Sequence, residues 1–396
     1  MSPKHNFKDA LGQHMTPSDV ANLLAANLPR PVSLAVDLAV GNGALLEAVR
    51  RRFADSKLWG ADFDNHRIAC ARAEHQGMIL KCGDGLDIAI PQWKAHSTGG
   101  MSIIGNPPFL PADPDDEHVR WQHLEFSDVH SKHGARRLEM SFLARALHEG
   151  RARSAIVAMV MPLPLASGLM YSPYRASLMK NHGLLKVITI NDTRYRNTEA
   201  ATVLVIIDTA LKGSSVVEIS EYDKADGHKV IYEGSISPGD RLDASFWKVL
   251  ELHKHPAPRL QDVGVEISRG RFCNAEALRM HKNAIHTTHL AKLMGLTMQL
   301  PSTPLPLDDD VLAETGDILL SRTGSRVNWQ PIQVMGGVAP ITDHVLRIRA
   351  PKHVRDRVVA SFRHPSFPAW LRSVTTGVCA SVITKHDILR MPLFAA

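Results

Sequence analysis

"VDLAVGNGALL", residues 36 to 46, closes a short apolar run and opens a segment with helical spacing, with Gly41 and Gly43 on either side of Asn42 at the junction. Glycines stand at such a turn where a ligand comes too close to the backbone for a Cβ, although a lone G-x-G also serves tight-turn geometry alone. The next apolar run ends "WGADFD", which puts Asp62 nineteen residues after Gly43. That is about where a doubly wound nucleoside-binding fold holds a carboxylate for ribose hydroxyls. Leu46 stands where the third glycine of G-x-G-x-x-G would be, so a dinucleotide pyrophosphate is disfavoured. A nucleoside ligand without phosphates fits better, and S-adenosylmethionine is the obvious one.

"VSLAVDLAV" (32–40), "KLWGADF" (57–63), "MILKCGD" (78–84), "MSIIG" (101–105), "SAIVAMVMP" (154–162), "LLKVITIND" (184–192) and "ATVLVIID" (201–208) are short apolar runs rich in β-branched residues. Segments of helical spacing such as "ALLEAVRRRFA" and "LEMSFLARALHEG" lie between many of them. Strand alternating with helix over about 200 residues predicts an open, mostly parallel α/β sheet, Rossmann-like in its turns. After residue 212 the pattern shifts to short strands and turn signals, "SISPGD", "HPAPRL" and "LPSTPLPLDDD". A first domain over 1–212, a connecting segment over 213–255 and a smaller, β-rich α+β domain over 256–396 are expected.

Charge follows the same division. From Pro256 onward there are 17 Lys+Arg against 11 Asp+Glu, whereas residues 1–255 hold 29 of each, so the whole net charge of +6 falls in the last third. A solvated basic surface or a polyanion-binding domain would both produce it. No apolar run reaches the roughly 18 residues of a membrane span, and the N-terminus lacks a signal-peptide core, so a cytoplasmic protein with no membrane contact is expected. Cys70, Cys82, Cys273 and Cys379 have no paired spacing and are expected to be reduced core residues. "HTTH" (His286–His289) has neither a second ligand pair nor i, i+4 spacing, so no metal site is expected.

Two further strand ends carry chemistry. "KCGDG" offers Asp84 as an acceptor for an adenine amino group, or as a plain turn aspartate. "IIGNPPFLP" (103–111) stops a strand with two prolines, so the Pro107 carbonyl and the Asn106 side-chain oxygen can converge on one NH2 donor. Two acceptors there favour the lone-pair-exposed nitrogen that attacks an electrophile. Phe109 adds a flat face for a planar amine such as a nucleobase. A loop exit with Phe109 in the core is the plain structural alternative.

"GNPPF", "VDLAVGNGALL", "GADFD" and the N-terminal "LGQHMTPSDVANLL" together resemble the DNA methyltransferases that act on adenine N6, in the gamma motif order, over roughly residues 10–210. The resemblance implies an S-adenosylmethionine-dependent catalytic domain. Thr16 and Pro17 would border the donor's methionine moiety, and Asp37, Gly41 and Gly43 its binding turn. Asp62, with Phe63 beside it, would meet the ribose, and Asp84 the adenine. Asn106, Pro107, Pro108 and Phe109 would hold a target adenine extruded from double-stranded DNA. Tyr195, in "TRYRNTEAATVLVIID", matches an aromatic that packs against the extruded base. His14-Met15, Leu38 and Leu45 depart from the family's usual residues but leave the glycines and carboxylates intact.

The last third has its own resemblance. "RLQDVGVEISRGR", "ETGDILLSRTGS", "GGVAPITDHVLRIRA" and "GVCASVITKHDILRMPL" are similar to one target-recognition domain of the specificity subunits of type I restriction systems. DNA contacts would come from loops, with "SRTGSRVNWQ" (321–330) offering Arg322, Ser325, Arg326 and Asn328 and "SRGR" (268–271) offering Arg269 and Arg271. The resemblance implies a chain that is part of, or derived from, a restriction-modification system, and leaves open whether a cognate restriction endonuclease is a partner. Methylation of RNA or of protein glutamine, and a non-catalytic specificity subunit, stay open as alternatives.

Overall fold

The computed structural model describes residues 16–91, 99–112, 117–129, 136–191, 201–252, 258–280, 284–293, 296–302, 311–324, 330–375 and 381–394. The chain divides into two compact units, Met1–Lys248 and Val249–Ala396.

All seven apolar runs are strands of one sheet. They are β1 (Val32–Asp37), β2 (Lys57–Asp62), β3 (Met78–Cys82), β4 (Gly100–Gly105), β5 (Ile156–Pro162), β6 (Gly183–Ile190) and β7 (Thr202–Asp208). The sheet continues with β8 (Val217–Asp223) and β9 (Gly227–Gly234), in the order β3-β2-β1-β4-β5-β7-β6-β8-β9. β1 to β5 are mutually parallel, and β7 inserts antiparallel between β5 and β6. Residues 217–234, expected within a connecting segment, are therefore sheet: β8 pairs parallel with β6 through Lys186↔Glu218, and β9 folds back on β8.

The runs are apolar without alternation because both faces are covered. Successive residues of β5 supply opposite cores: Val157, Met159 and Met161 to one, Ile156, Ala158 and Val160 to the other. The first core receives Met140, Leu143 and Leu147 of α5 (Leu138–Arg151), which follows α4 (Arg120–Glu125). The second receives Val20 and Leu24 of α1 (Ser18–Ala26), Leu46 and Val49 of α2 (Ala44–Arg52), and Ile68 and Ala71 of α3 (Asn65–Glu74). Each of these Val, Leu, Ile and Met side chains contributes about 1.5–3 kcal/mol on burial.

The second unit is built on a smaller sheet. Its strands are β10 (Glu266–Arg269), β11 (Thr297–Ser302), β12 (Leu312–Glu314), β13 (Ile318–Ser321), β15 (Ile332–Pro340) and β16 (Val345–Arg349), while β14 (Thr323–Gly324) pairs separately with β17 (Ser381–Val382). The pairing is antiparallel except between β11 and β15. Its core gathers Leu300, Leu319, Ile332, Val334 and Val345. The α/β class with a β-rich second unit is thus the architecture observed.

Three cysteines depart from expectation. Cys70, Cys82 and Cys273 are free thiols on the surface rather than in the core, Cys82 because β3 is an edge strand; Cys379 lies outside the described residues. No helix among the described residues is long and apolar enough to cross a membrane.

Candidate active site at the carboxyl edge of the sheet

From β1 the chain runs outward to β2 and β3, then returns to place β4 on the other side of β1. That reversal opens a crevice beyond the carboxyl ends of β1 and β4, the place where open α/β sheets bind ligands. Asp37 ends β1 and Asn106 follows β4.

The glycine turn is fixed from the neighbouring strand. Gly41 and Gly43 have φ of 52° and 82°, a left-handed region that favours glycine. Asp62, at the end of β2, accepts the Gly41 N–H on Oδ2 at 2.8 Å and the Asp64 N–H on Oδ1 at 2.9 Å. Asp62 thus holds the turn, and lone pairs remain on both oxygens for hydroxyl donors. Phe63 beside it is 70% exposed, leaving a ring face open to a planar ligand.

Asp37 is buried. Its Oδ1 accepts the Ala39 N–H at 3.0 Å, and its Oδ2 has no hydrogen-bond partner. Burial pushes the carboxyl up to about 7 against the opposing pull of the Ala39 bond, and the nearby Asp62 charge adds to the rise. An unpartnered buried carboxylate oxygen beside this turn suits a cationic ligand, which fits the sulfonium and ammonium of S-adenosylmethionine.

A cavity of about 180 Å³ lies along the same edge, lined by Asp62, Phe63, Asp84, Pro108, His118 and Phe142 among others. Asp84 accepts the Leu86 N–H on Oδ1 at 2.7 Å, and His118 Nε2 lies 2.9 Å from its Oδ2. The Asp84–Leu86 turn packs hard against the exit of β1, since a Cβ on Gly85 would sit 1.8 Å from the Leu38 oxygen. Buried Arg145 of α5 donates to the carbonyls of Gly85 and Ile88, and Trp121 Nε1 donates to the Leu86 carbonyl at 2.8 Å.

Asn106 donates Nδ2 to Thr16 Oγ1 at 3.0 Å, which fixes its amide plane with Oδ1 as the acceptor end. Pro107, Pro108 and Phe109 then turn away from the strand. Beyond them Leu138 N–H donates to the Leu110 carbonyl at 2.8 Å, and Pro111 bridges to Arg137, so the loop exit is pinned to the start of α5. Glu139, buried there, accepts Arg137 Nε at 2.9 Å, and burial raises its carboxyl above the usual range.

The structure thus brings Thr16, Asp37, Gly41, Gly43, Asp62, Phe63, Asp84, Asn106 and Pro108 to one edge of one sheet, with Pro17 capping α1. Tyr195 lies outside the described residues. His118, Glu139 and Arg145 were not singled out in the sequence. The one signal was a charged residue at core spacing in "LEMSFLARALHEG" for the last two; His118 left none.

In the second unit, Ser268–Arg271 and Ser321–Gly324 flank the start of β16. β16 pairs with β10 on one side, Arg269↔Leu346, and with β13 on the other, Ser321↔Val345, so both segments leave the sheet at the same end. Arg269 and Arg271 are exposed, and Arg322 is half-buried with its N–H on the His344 carbonyl. Thr323 Oγ1 lies 2.6 Å from His344 Nδ1, and the His286 ring stands 5.9 Å from that of His344. Ser325, Arg326 and Asn328 lie outside the described residues.

No protein-family model matches the chain, and no curated protein matches it. Solved structures do. A type IIG restriction endonuclease, BpuSI, superposes with a TM-score of 0.53 at 12% identity over 96% of this chain and 58% of that one. The type IIL restriction-modification enzyme MmeI, solved in complex with DNA, gives 0.52 at 12% identity over 94% of this chain and 64% of that one. The methyltransferase subunit of a type I restriction-modification system from Streptococcus thermophilus gives 0.44 at 18% identity over 62% and 53%. The chain spans about 60% of the length of the first two, and both of its units are included in that likeness of fold.

Proposed function

We propose that this chain is an S-adenosylmethionine-dependent, site-specific DNA methyltransferase that modifies the exocyclic N6 of adenine, in the gamma motif order, and that belongs to or descends from a restriction-modification system. The observation that carries the reading is the placement of Asn106-Pro107-Pro108-Phe109 at the crevice beside β1, next to a cavity bearing Asp62 and Asp84. The fold shared with BpuSI and MmeI supports it.

The bound donor supplies an activated methyl group on a sulfonium. Asp62 and Asp84 hold its nucleoside, and the buried Asp37 oxygen faces its positive charge. Extruding the adenine costs a few kcal/mol, which Phe109, with Tyr195 as the second ring, offsets by stacking. Asn106 Oδ1 and the Pro107 carbonyl would accept the two amino hydrogens and leave the nitrogen lone pair exposed. With the donor bound, its methyl group would pass to that nitrogen, the donor leaving as the thioether and the amine's extra proton going to water. The two acceptors stabilise the charge that develops on nitrogen. The second unit reads the site, with Arg269, Arg271, Arg322 and Arg326 on phosphates or base edges.

Transfer of a tritiated methyl group to duplex DNA, RNA and protein acceptors tests the reading, with the modified base identified as N6-methyladenine. Labelling of RNA or protein in preference to duplex DNA overturns it.

A further inference from the structure

We propose that His118 is a positioning residue that acts through Asp84, and that the Asp84–His118 pair makes the cavity select a 6-amino purine over its 6-oxo counterpart. This rests on the donor-binding reading above. His118 sits on the short turn Glu117–Val119 ahead of α4, and its Nε2 meets Asp84 Oδ2 at 2.9 Å while the Leu86 N–H holds Oδ1 at 2.7 Å. The Leu86 N–H on one oxygen and the imidazole nitrogen beside the other fix the plane of the carboxylate. About four lone-pair sites per carboxylate leave room to accept an amino group as well.

The imidazole forms part of the wall rather than an occupant. The cavity of about 180 Å³ exists with His118 already on Asp84, and both side chains line it. Its surroundings hold it there. Asp87 Oδ2 stands 3.8 Å from the same nitrogen, Arg120 engages Asp87 Oδ1 at 2.6 Å, and Arg145 and Trp121 fix the carbonyls of the 85–88 turn. Asp84, Asp87 and His118 place ligand atoms within 4.8 Å of one another, as a cation site would, but Arg120 already balances Asp87.

A carboxylate fixed in this way presents only acceptors to the 6-position of a purine. A 6-amino group donates to it, whereas a 6-oxo group sets acceptor against acceptor and leaves a polar pair unsatisfied. Sites built on such hydrogen bonds discriminate far better than apolar pockets do. Loss of the imidazole frees the carboxylate to rotate, so the acceptor is no longer fixed against the 6-position and the oxo analogue is rejected less strongly.

Calorimetry on the full chain with S-adenosylhomocysteine and with S-inosylhomocysteine, its 6-oxo analogue, reads the effect. His118→Ala should weaken the amino ligand about 10-fold, the loss expected for one charge-assisted hydrogen bond, and reduce the amino-over-oxo preference by a similar factor. His118→Gln, which keeps a neutral donor, should restore both to within about 3-fold. In turnover the defect should appear in KM for the donor and not in kcat. On an Asp84→Ala background, His118→Ala should add nothing, because the two act as one unit. Additive losses, an unchanged preference, or tighter binding by His118→Ala each overturn the proposal. Failure of the wild-type chain to bind the amino ligand at all overturns the donor-binding reading instead, and this one with it.

Discussion

At the scale of single residues, Asn106 and Asp37 make opposite demands on the site. Asn106 is held by Thr16 from a segment 90 residues away, so its acceptor is aimed before any substrate arrives. Preorganised acceptors of this kind act mainly in the transition state. Asn106→Ala should therefore leave donor affinity near normal and cut turnover by at least about 100-fold, as single-turnover methylation would read. Retention of a tenth of the rate would remove Asn106 from the mechanism. Asp37 is a titrating group. With its carboxyl pushed up to about 7, it is neutral in the donor-free protein at lower pH and must ionise to face a cation. Donor affinity should thus be full above pH 7 and fall as pH drops through that value, with proton release visible in buffers of different ionisation heat; Asp37→Asn should bind weakly and flatten the profile. The stability effect has its own sign. A folded pKa above the ordinary 3.8 makes ionisation a cost that grows from about pH 4 to 7, so Asp37→Asn should be more stable than wild type at pH 8, by on the order of 2 to 4 kcal/mol.

At the scale of elements, the turns that leave β1, β2 and β3 act as one assembly. Asp62 at the end of β2 holds Gly41 after β1, and the turn after β3 lies against Leu38 so closely that only a glycine fits at 85. The two glycines differ in kind, which gives a test. A Cβ on Gly41 meets nothing within 4 Å and pays only for its positive φ, about 1–2 kcal/mol. A Cβ on Gly85 would collide with backbone, which cannot yield without moving two strand exits. Gly85→Ala should therefore destabilise by roughly 3 kcal/mol or more in chemical denaturation, well beyond Gly41→Ala, and should lose donor binding along with stability.

At the scale of the whole molecule, charge and chemistry are divided between two units, each with its own core. The excess positive charge belongs to the second, where segments about 50 residues apart in sequence leave one sheet end together. Arg269→Ala and Arg322→Ala should therefore behave alike. If the arginine grips a phosphate, its removal should lower the slope of log DNA affinity against log salt by about 1; if it reads a base edge, removal should cost roughly 1–3 kcal/mol on the cognate site alone. Donor affinity should not change in either variant. Binding isotherms on cognate and random duplexes at several salt concentrations separate these outcomes, and a flat response from both would remove this sheet end from the DNA interface.

Seven strands, the α/β class and the residues at four strand ends were legible in the sequence, because strand and helix periodicity and the chemistry of a strand-ending turn are local properties. Val36 to Leu46 announces a strand, a tight glycine turn and a helix whatever surrounds it. Only the tertiary structure decided what those residues meet. The antiparallel insertion of β7, the capture of residues 217–234 into the sheet, and the placing of Ser268–Arg271 and Ser321–Gly324 at the same end of the second sheet depend on pairing across space, which no local period encodes. Arg145 shares a helix with leucines yet is buried because two carbonyls of a distant turn receive it. Cys82 looks like core and is exposed because its strand lies at an edge. The Asn106–Thr16 hydrogen bond and the His118–Asp84 pair join residues whose separation in the chain carries no signal, and they exist only once the sheet has brought both ends to one place.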